Sequence, residues 1–136
     1  MNRNFGGILG ERKLHRKVGH RTVVTVVTLG TPRRKESNDW ECPFHITGQR
    51  VQYGYGVDAI QALTTALDGI WVMLKKSGHE FSWLGGDYTG FDRLVTSSFG
   101  TKFTTRLNRI IDREIEHFVN GRERVHKKRQ RRHPGA

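Results

Sequence analysis

The hydrophobic pattern changes its period at Asp58, and this change constrains the fold more than any other feature of the chain. Before it, Val51, Tyr53, Tyr55 and Val57 alternate with polar or glycine positions, which is the spacing of a half-buried strand. After it, apolar residues recur every three or four positions, as they do on one face of an amphipathic helix. The segment therefore predicts a strand that leads directly into a helix.

The predicted helix has clear signals at both ends. Asp58 suits the N-cap, and Gln61 stands at the position that completes a capping box. Gly78 suits the C-terminal cap. The apolar stripe is expected to contain Ile60, Leu63, Leu67, Ile70 and Leu74, with Ala59, Ala62 and Ala66 beside it.

Two earlier segments and two later segments complete the predicted elements. Residues 21–29 are rich in Val and Thr and predict a strand. Residues 40–47 alternate, and Pro43 within them favours an edge strand or an outward-facing Pro43 side. "EFSWL" is a candidate fourth strand, and apolar spacing predicts a second helix from Lys102 to Asn120 that Gly121 ends or kinks.

These elements predict an α+β fold: a three- to four-stranded antiparallel sheet with a helix packed on one face, plus a C-terminal amphipathic helix. The expected organisation is a flexible basic arm over residues 1–20, the α+β domain over 21–95, the second helix over 96–121 and a disordered basic tail over 122–136.

Several motifs resemble those of a family of small bacterial domains of unknown activity. The motifs are "DWECPF", "YGVDAIQAL", "WLGG" and "GFDR", and the resemblance covers roughly residues 21–93. The resemblance implies a bacterial or phage origin and no particular activity. The predicted order of three strands and a helix is also similar to half of a HicB-type antitoxin, which is an analogy of topology alone.

The net charge of +11 comes entirely from the two ends of the chain. Residues 1–21 carry six Lys or Arg against Glu11, residues 122–136 carry seven against Glu123, and the segment between them is neutral. Basic segments bind phosphates without reading sequence. We therefore expect nucleic acid or the ribosome as partner, contacted through Arg12, Lys13, Arg16, Lys17, Arg122, Arg124, Lys127, Lys128, Arg129, Arg131 and Arg132.

The sequence contains no constellation typical of catalysis, so we expect no enzyme, no metal site, no cofactor and no small-molecule substrate. The alternation of the strand places Cys42 on the face that points into the core, and His45 lies on the opposite face of the same strand. Glu114 and His117 form a single Glu-x-x-His pair, whereas a di-iron bundle requires two.

The "WLGGDYTGFDR" loop allows two interpretations. Asp87 and Asp92 could form an acid pair or cap turns, and capping is favoured. Arg93 is expected to anchor this loop through Asp87 or a carbonyl group.

The aromatic residues also allow two interpretations. Tyr53 and Tyr55 could stack bases, but their face is the natural one to receive the helix and no basic residue interleaves with them, so core packing is favoured. The alternative function is an antitoxin-like or immunity-like module that binds one protein. A single cysteine and no apolar run of about 20 residues favour a cytoplasmic protein without a membrane segment.

Overall fold

Five antiparallel strands with one helix, followed by a second long helix, make up the protein in a computed structural model that describes residues 5–95 and 97–132. The strands are β1 (Ile8–Val18), β2 (Arg21–Gly30), β3 (Arg33–Arg34), β4 (Trp40–Ile46) and β5 (Gln52–Gly56). The helices are α1 (Ala59–Lys76) and, after a short 3-10 turn at Ser97–Phe99, α2 (Thr101–Arg132). The chain divides into two units, Met1–Leu94 and Val95–Ala136. The α+β class is confirmed.

Strand β4 lies in the centre of the sheet. It pairs with β5 on one side, and on the other side with β3 near Trp40 and with β2 near Phe44. The prediction of an edge position was therefore wrong. Pro43 is tolerated because it is buried against Gly30 at the break between the β3 and β2 ladders, where that side of β4 has no ladder partner.

Strand β1 corrects the expectation of a flexible arm over residues 1–20. It pairs with β2 along almost its whole length, from Gly10 opposite Leu29 to Val18 opposite Arg21. The hydrophobic pattern did not predict this strand, because Leu14 is its only buried apolar residue. The first four residues of the expected arm lie outside the described residues.

Helix α1 begins as predicted. The Asp58 carboxylate accepts a hydrogen bond from the Gln61 amide at 2.8 Å, and the Gln61 side chain accepts one from the Val57 amide at 2.8 Å. These two bonds form a variant of the capping box, in which the Gln61 side chain bonds the amide of the residue before the N-cap.

The buried face of α1 differs from the predicted stripe. It contains Ala62, Ala66, Ile70 and Leu74, whereas Ile60 is 76% exposed. The helix is rotated towards its alanines because they pack against a glycine strand. A Cβ atom on Gly54 would lie only 2.6 Å from the Ala62 carbonyl oxygen, so the two backbones are in direct contact.

The core lies between α1 and the sheet. Leu14, Val27, Cys42, Phe44 and Ile46 supply the sheet side, and half-buried aromatic residues close its margin. Two of those aromatics, Phe81 and Trp83, come from the "EFSWL" segment. This segment forms only two isolated bridges, one between Ser82 and His15 and one between Trp83 and Gly86, so the expected fourth strand is absent from it.

Helix α2 continues through the segment that was expected to be a disordered tail. It passes Gly121 and ends at Arg132, while the last four residues of the chain lie outside the described residues. Lys, Arg and Gln favour helix, and basic side chains in the last turn complement the helix dipole. Among the described residues, no helix has both the length and the apolar composition needed to cross a membrane.

We predict that Gly54→Ala destabilises the domain by about 1–3 kcal/mol, since the new methyl group must separate α1 from β5. Gly10→Ala is the matched control, because a Cβ at this strand position meets nothing within 4 Å. Urea denaturation of the two variants measures the difference. Equal stability of both variants would show that the helix does not approach the glycine strand this closely.

Candidate nucleic-acid interface

The sheet face opposite α1 carries two tyrosines. Gly54 and Gly56 point towards α1, so the alternation of β5 places Tyr53 and Tyr55 on the other side. The ring centroids lie 6.2 Å apart and the ring planes are inclined by 26°. The expectation that the tyrosine face receives the helix was wrong, because only the glycine face lets two backbones meet.

Two basic side chains lie beside these rings, which corrects the expectation that none interleaves with them. The Cζ atom of Arg33 is 5.8 Å from the centroid of the Tyr53 ring, and Nζ of Lys35 is 5.0 Å from that of Tyr55. Arg33 also donates a 2.8 Å hydrogen bond from Nε to the Glu41 carboxylate. We call Arg33, Lys35, Tyr53 and Tyr55 the tyrosine platform.

A surface groove of about 410 Å³ borders the platform at Tyr55. Its lining consists of Lys35, Asp39, Tyr55, Gly56, Val57 and Gln61. Lys35 and Asp39 are the charged residues of this lining. The Gln61 side-chain oxygen is already engaged, because it accepts a hydrogen bond from the Val57 amide. An aromatic ring, a cation and a hydrogen-bond acceptor thus border the same open space.

The basic residues of β1 divide between the two faces of the sheet. Lys13 and Lys17 are exposed and share the outer face with the tyrosines, because their partners Val26 and Thr22 alternate with the core positions of β2. Arg16 is half-buried and, like Arg12, belongs to the other face. The four residues predicted as one cluster are therefore separated.

Arg12 is part of the structure of the domain. Its guanidinium carbon lies 3.8 Å from the centroid of the Trp83 ring and 4.5 Å from that of Phe91. Its Nη1 donates a 3.2 Å hydrogen bond to the carbonyl oxygen of Thr89. Arg12 joins β1 to the loop that follows α1, so it is not a free cation for phosphate binding.

The seven basic residues of the C-terminal segment project from the last three turns of α2. They are Arg122, Arg124, Lys127, Lys128, Arg129, Arg131 and Arg132, and all are exposed. Arg122 lies 5.4 Å from the centroid of the Phe118 ring. None of the seven forms an ion pair with another described residue. Their charges are therefore available to a partner.

Cys42 is a core residue, as its alternation predicted. Its side chain is 0% exposed, and Sγ donates a hydrogen bond to the Gly30 carbonyl oxygen at 3.3 Å. Burial raises the pKa of this thiol from 9.0 to about 11. His45 is half-buried on the opposite face of β4, paired with Thr28. The thiol thus lacks the exposure and the low pKa that a nucleophile needs.

The remaining candidates do not form a site. Glu114 and His117 are exposed on α2, and Asp87 and Asp92 are exposed in their loop. Arg93 lies 5.9 Å from the centroid of the Trp71 ring, a contact that the sequence did not predict. Within the described ranges, no three His, Cys, Asp or Glu side chains are grouped so that they could hold a metal ion.

The fold and this surface define a small α+β domain with an aromatic and basic outer sheet face and a basic helical extension. A family model described as a domain of unknown function, DUF6968, matches residues 10–93, and the chain belongs to this family. The matched range begins in β1, earlier than the motif resemblance, and it includes both Arg12 and its two aromatic partners. No curated protein and no solved structure matches the chain.

Sequence reasoning missed Arg33 and Lys35 as candidate site residues. Both lie in a segment rich in turn-forming residues, which the sequence identified only as a loop. The available signal was the glycine pair of β5: small residues at alternate positions mark the face that a helix approaches. Assigning the glycine face to the helix would have placed Tyr53 and Tyr55 on the outer face of the sheet.

We predict that two neighbouring substitutions in β1 differ in their effect on stability. Arg12→Gln should destabilise the domain by about 1–2 kcal/mol, because it removes a partly buried contact with two rings. Lys13→Gln should change stability by less than about 0.5 kcal/mol, since Lys13 is exposed. Chemical denaturation measures both values. A neutral Arg12→Gln variant would contradict the structural role of Arg12.

We predict that a thiol reagent such as 5,5′-dithiobis(2-nitrobenzoic acid) does not label Cys42 in the native protein at pH 8. The thiol is buried and, with a pKa of about 11, stays protonated at this pH. The same protein in denaturant should react with one equivalent, which provides the control. Rapid labelling before unfolding would place the thiol at the surface.

Proposed function

We propose that the protein is a non-enzymatic binding protein that associates with nucleic acid, ribosomal RNA included, through phosphate contacts from its basic segments. One observation carries this proposal. Seven basic residues and a single acid, Glu123, occupy the exposed end of α2 between Arg122 and Arg132. This end of the helix is a strongly positive surface in which one acid stands against seven basic residues.

Helical order concentrates this charge. Eleven residues at a rise of about 1.5 Å each extend over roughly 16 Å, so the seven cations occupy a short rod. Such a rod can neutralise several phosphates and release their counterions, which supplies affinity for nucleic acid of any sequence. We therefore expect binding that tolerates sequence changes and weakens steeply with salt.

Lys13 and Lys17 support the same proposal from the folded domain. They are exposed on the outer sheet face, while Arg12 is engaged with Trp83 and Phe91 and Arg16 belongs to the face that α1 covers. The phosphate-binding set proposed here therefore comprises Lys13, Lys17 and the seven basic residues of α2.

A second candidate function, the binding of one protein partner in the manner of an antitoxin or an immunity protein, is favoured by a different feature of α2. An apolar stripe precedes the basic end, and Ile110, Ile111, Ile115 and Phe118 remain exposed on it. Exposed apolar surface of this kind is typical of a protein interface. The stripe and the basic end are separate along the helix, so their roles can be tested independently.

We predict that the affinity of the full chain for nucleic acid falls on the order of 10³-fold between 50 and 200 mM salt, if about six phosphates are neutralised. Changing Arg129, Arg131 and Arg132 together to Gln should reduce the salt slope by up to about three units. Fluorescence anisotropy with a labelled duplex and a labelled single strand measures both quantities.

The matched control changes Lys102, Arg106 and Arg109 to Gln, which removes three charges from the same helix outside its basic end. Its salt slope should change by less than about one unit. An equal loss in both variants would show that total charge, and not the end of α2, determines binding. Absence of binding by the unmodified chain at 50 mM salt would overturn the proposal and leave the protein partner as the better candidate.

A further inference from the structure

We propose that the tyrosine platform binds single-stranded nucleic acid by stacking bases on Tyr53 and Tyr55. This inference rests on the proposed function for its class of ligand, and it adds a site that lies on the folded domain and not on α2. The occupant is a single strand because an aromatic ring can stack only on a base with a free face, and the faces of duplex bases are covered by their neighbours.

The spacing of the rings suits unstacked bases. Their centroids are 6.2 Å apart because Tyr53 and Tyr55 are separated by two residues along one strand. Adjacent bases in a duplex strand are only about 3.4 Å apart. Two neighbouring bases can therefore use the two rings only if the strand is extended and its bases are splayed.

The surface around the rings carries two cations, Arg33 and Lys35, together with the carboxylates of Glu41 and Asp39. Glu41 neutralises Arg33 in part, and Lys35 lies above the Tyr55 ring without an acidic ion-pair partner among the described residues. Lys13 and Lys17 lie on the same face of the sheet, further away on β1, where Glu11 also lies. A cation beside each aromatic ring allows one base to stack while its phosphate is neutralised.

The groove beside Tyr55 gives the proposed site a place for a base edge. It has a volume of about 410 Å³, and both Lys35 and Asp39 line it. A carboxylate accepts hydrogen bonds from exocyclic amino groups of bases, and an ammonium group binds phosphate. The opposite charges of the two residues therefore suit the two ends of one nucleotide.

The test compares Tyr55→Leu with Tyr88→Leu in the full chain. The two tyrosines have nearly equal exposure, 52% and 51%, but Tyr88 lies in the loop after α1 and contacts Trp83. Anisotropy titrations at 50 mM salt use a labelled 12-nucleotide oligouridylate, the matching oligothymidylate, and a duplex. Tyr55→Leu should weaken single-strand binding about 5- to 100-fold and leave duplex binding unchanged, and Tyr88→Leu should weaken neither.

A second pair of variants tests the cation without altering the rings. Lys35→Gln should weaken single-strand binding and lower its salt slope by about one unit, whereas Lys76→Gln, an exposed change at the end of α1, should do neither. Thermal melts of all four variants establish that each is folded under the conditions of the titrations.

The outcomes separate this inference from the proposed function. If Tyr55→Leu and Lys35→Gln bind single strands as the unmodified chain does, while the Arg129, Arg131 and Arg132 variant loses affinity, the platform is overturned and the proposed function stands. If the unmodified chain binds no oligonucleotide, both are overturned. Selective loss of single-strand binding in the two platform variants supports the site, and the two oligonucleotides show whether the 2′-hydroxyl contributes.

Discussion

The backbone of β5 lies against the backbone of α1, and most of the domain is arranged around this contact. It is possible only because Gly54 and Gly56 have no side chain and because Ala62 and Ala66 present the smallest side chains to them. The contact sets the rotation of α1 and leaves larger apolar residues such as Ile60 at the surface. It also determines, through the alternation of the strand, that the neighbouring tyrosines face outwards.

The outer sheet face is thus a consequence of how the inner face packs. Once the glycines face the helix, Tyr53 and Tyr55 must line the other side, where β3 adds Arg33 and the turn after it adds Lys35. Strand β5 therefore links the two faces: its glycines satisfy the steric demands of the core, and its tyrosines become available to a ligand.

Basic residues have different physical roles in different parts of this chain. Arg12 is held between two aromatic rings and completes a strand that has few apolar residues of its own. Its neighbour Lys13 points to the solvent, and the basic residues at the end of α2 have no acidic partners among the described residues. Net charge alone would treat these residues as equivalent, whereas burial and ring contacts separate the structural cations from the available ones.

The sequence by itself determined the local elements with strong signals: the change of period at Asp58, the capping box, β2, the buried position of Cys42 and the α+β class. Local chemistry decides these features, since a cap and an alternating strand depend on neighbouring residues. Tertiary structure alone decided that β1 is a strand, that β4 is central and that the tyrosines lie outside. Each of these depends on contacts between elements: the ladder that joins β1 to β2, the paired ladders on both sides of β4, and the helix that packs on Gly54.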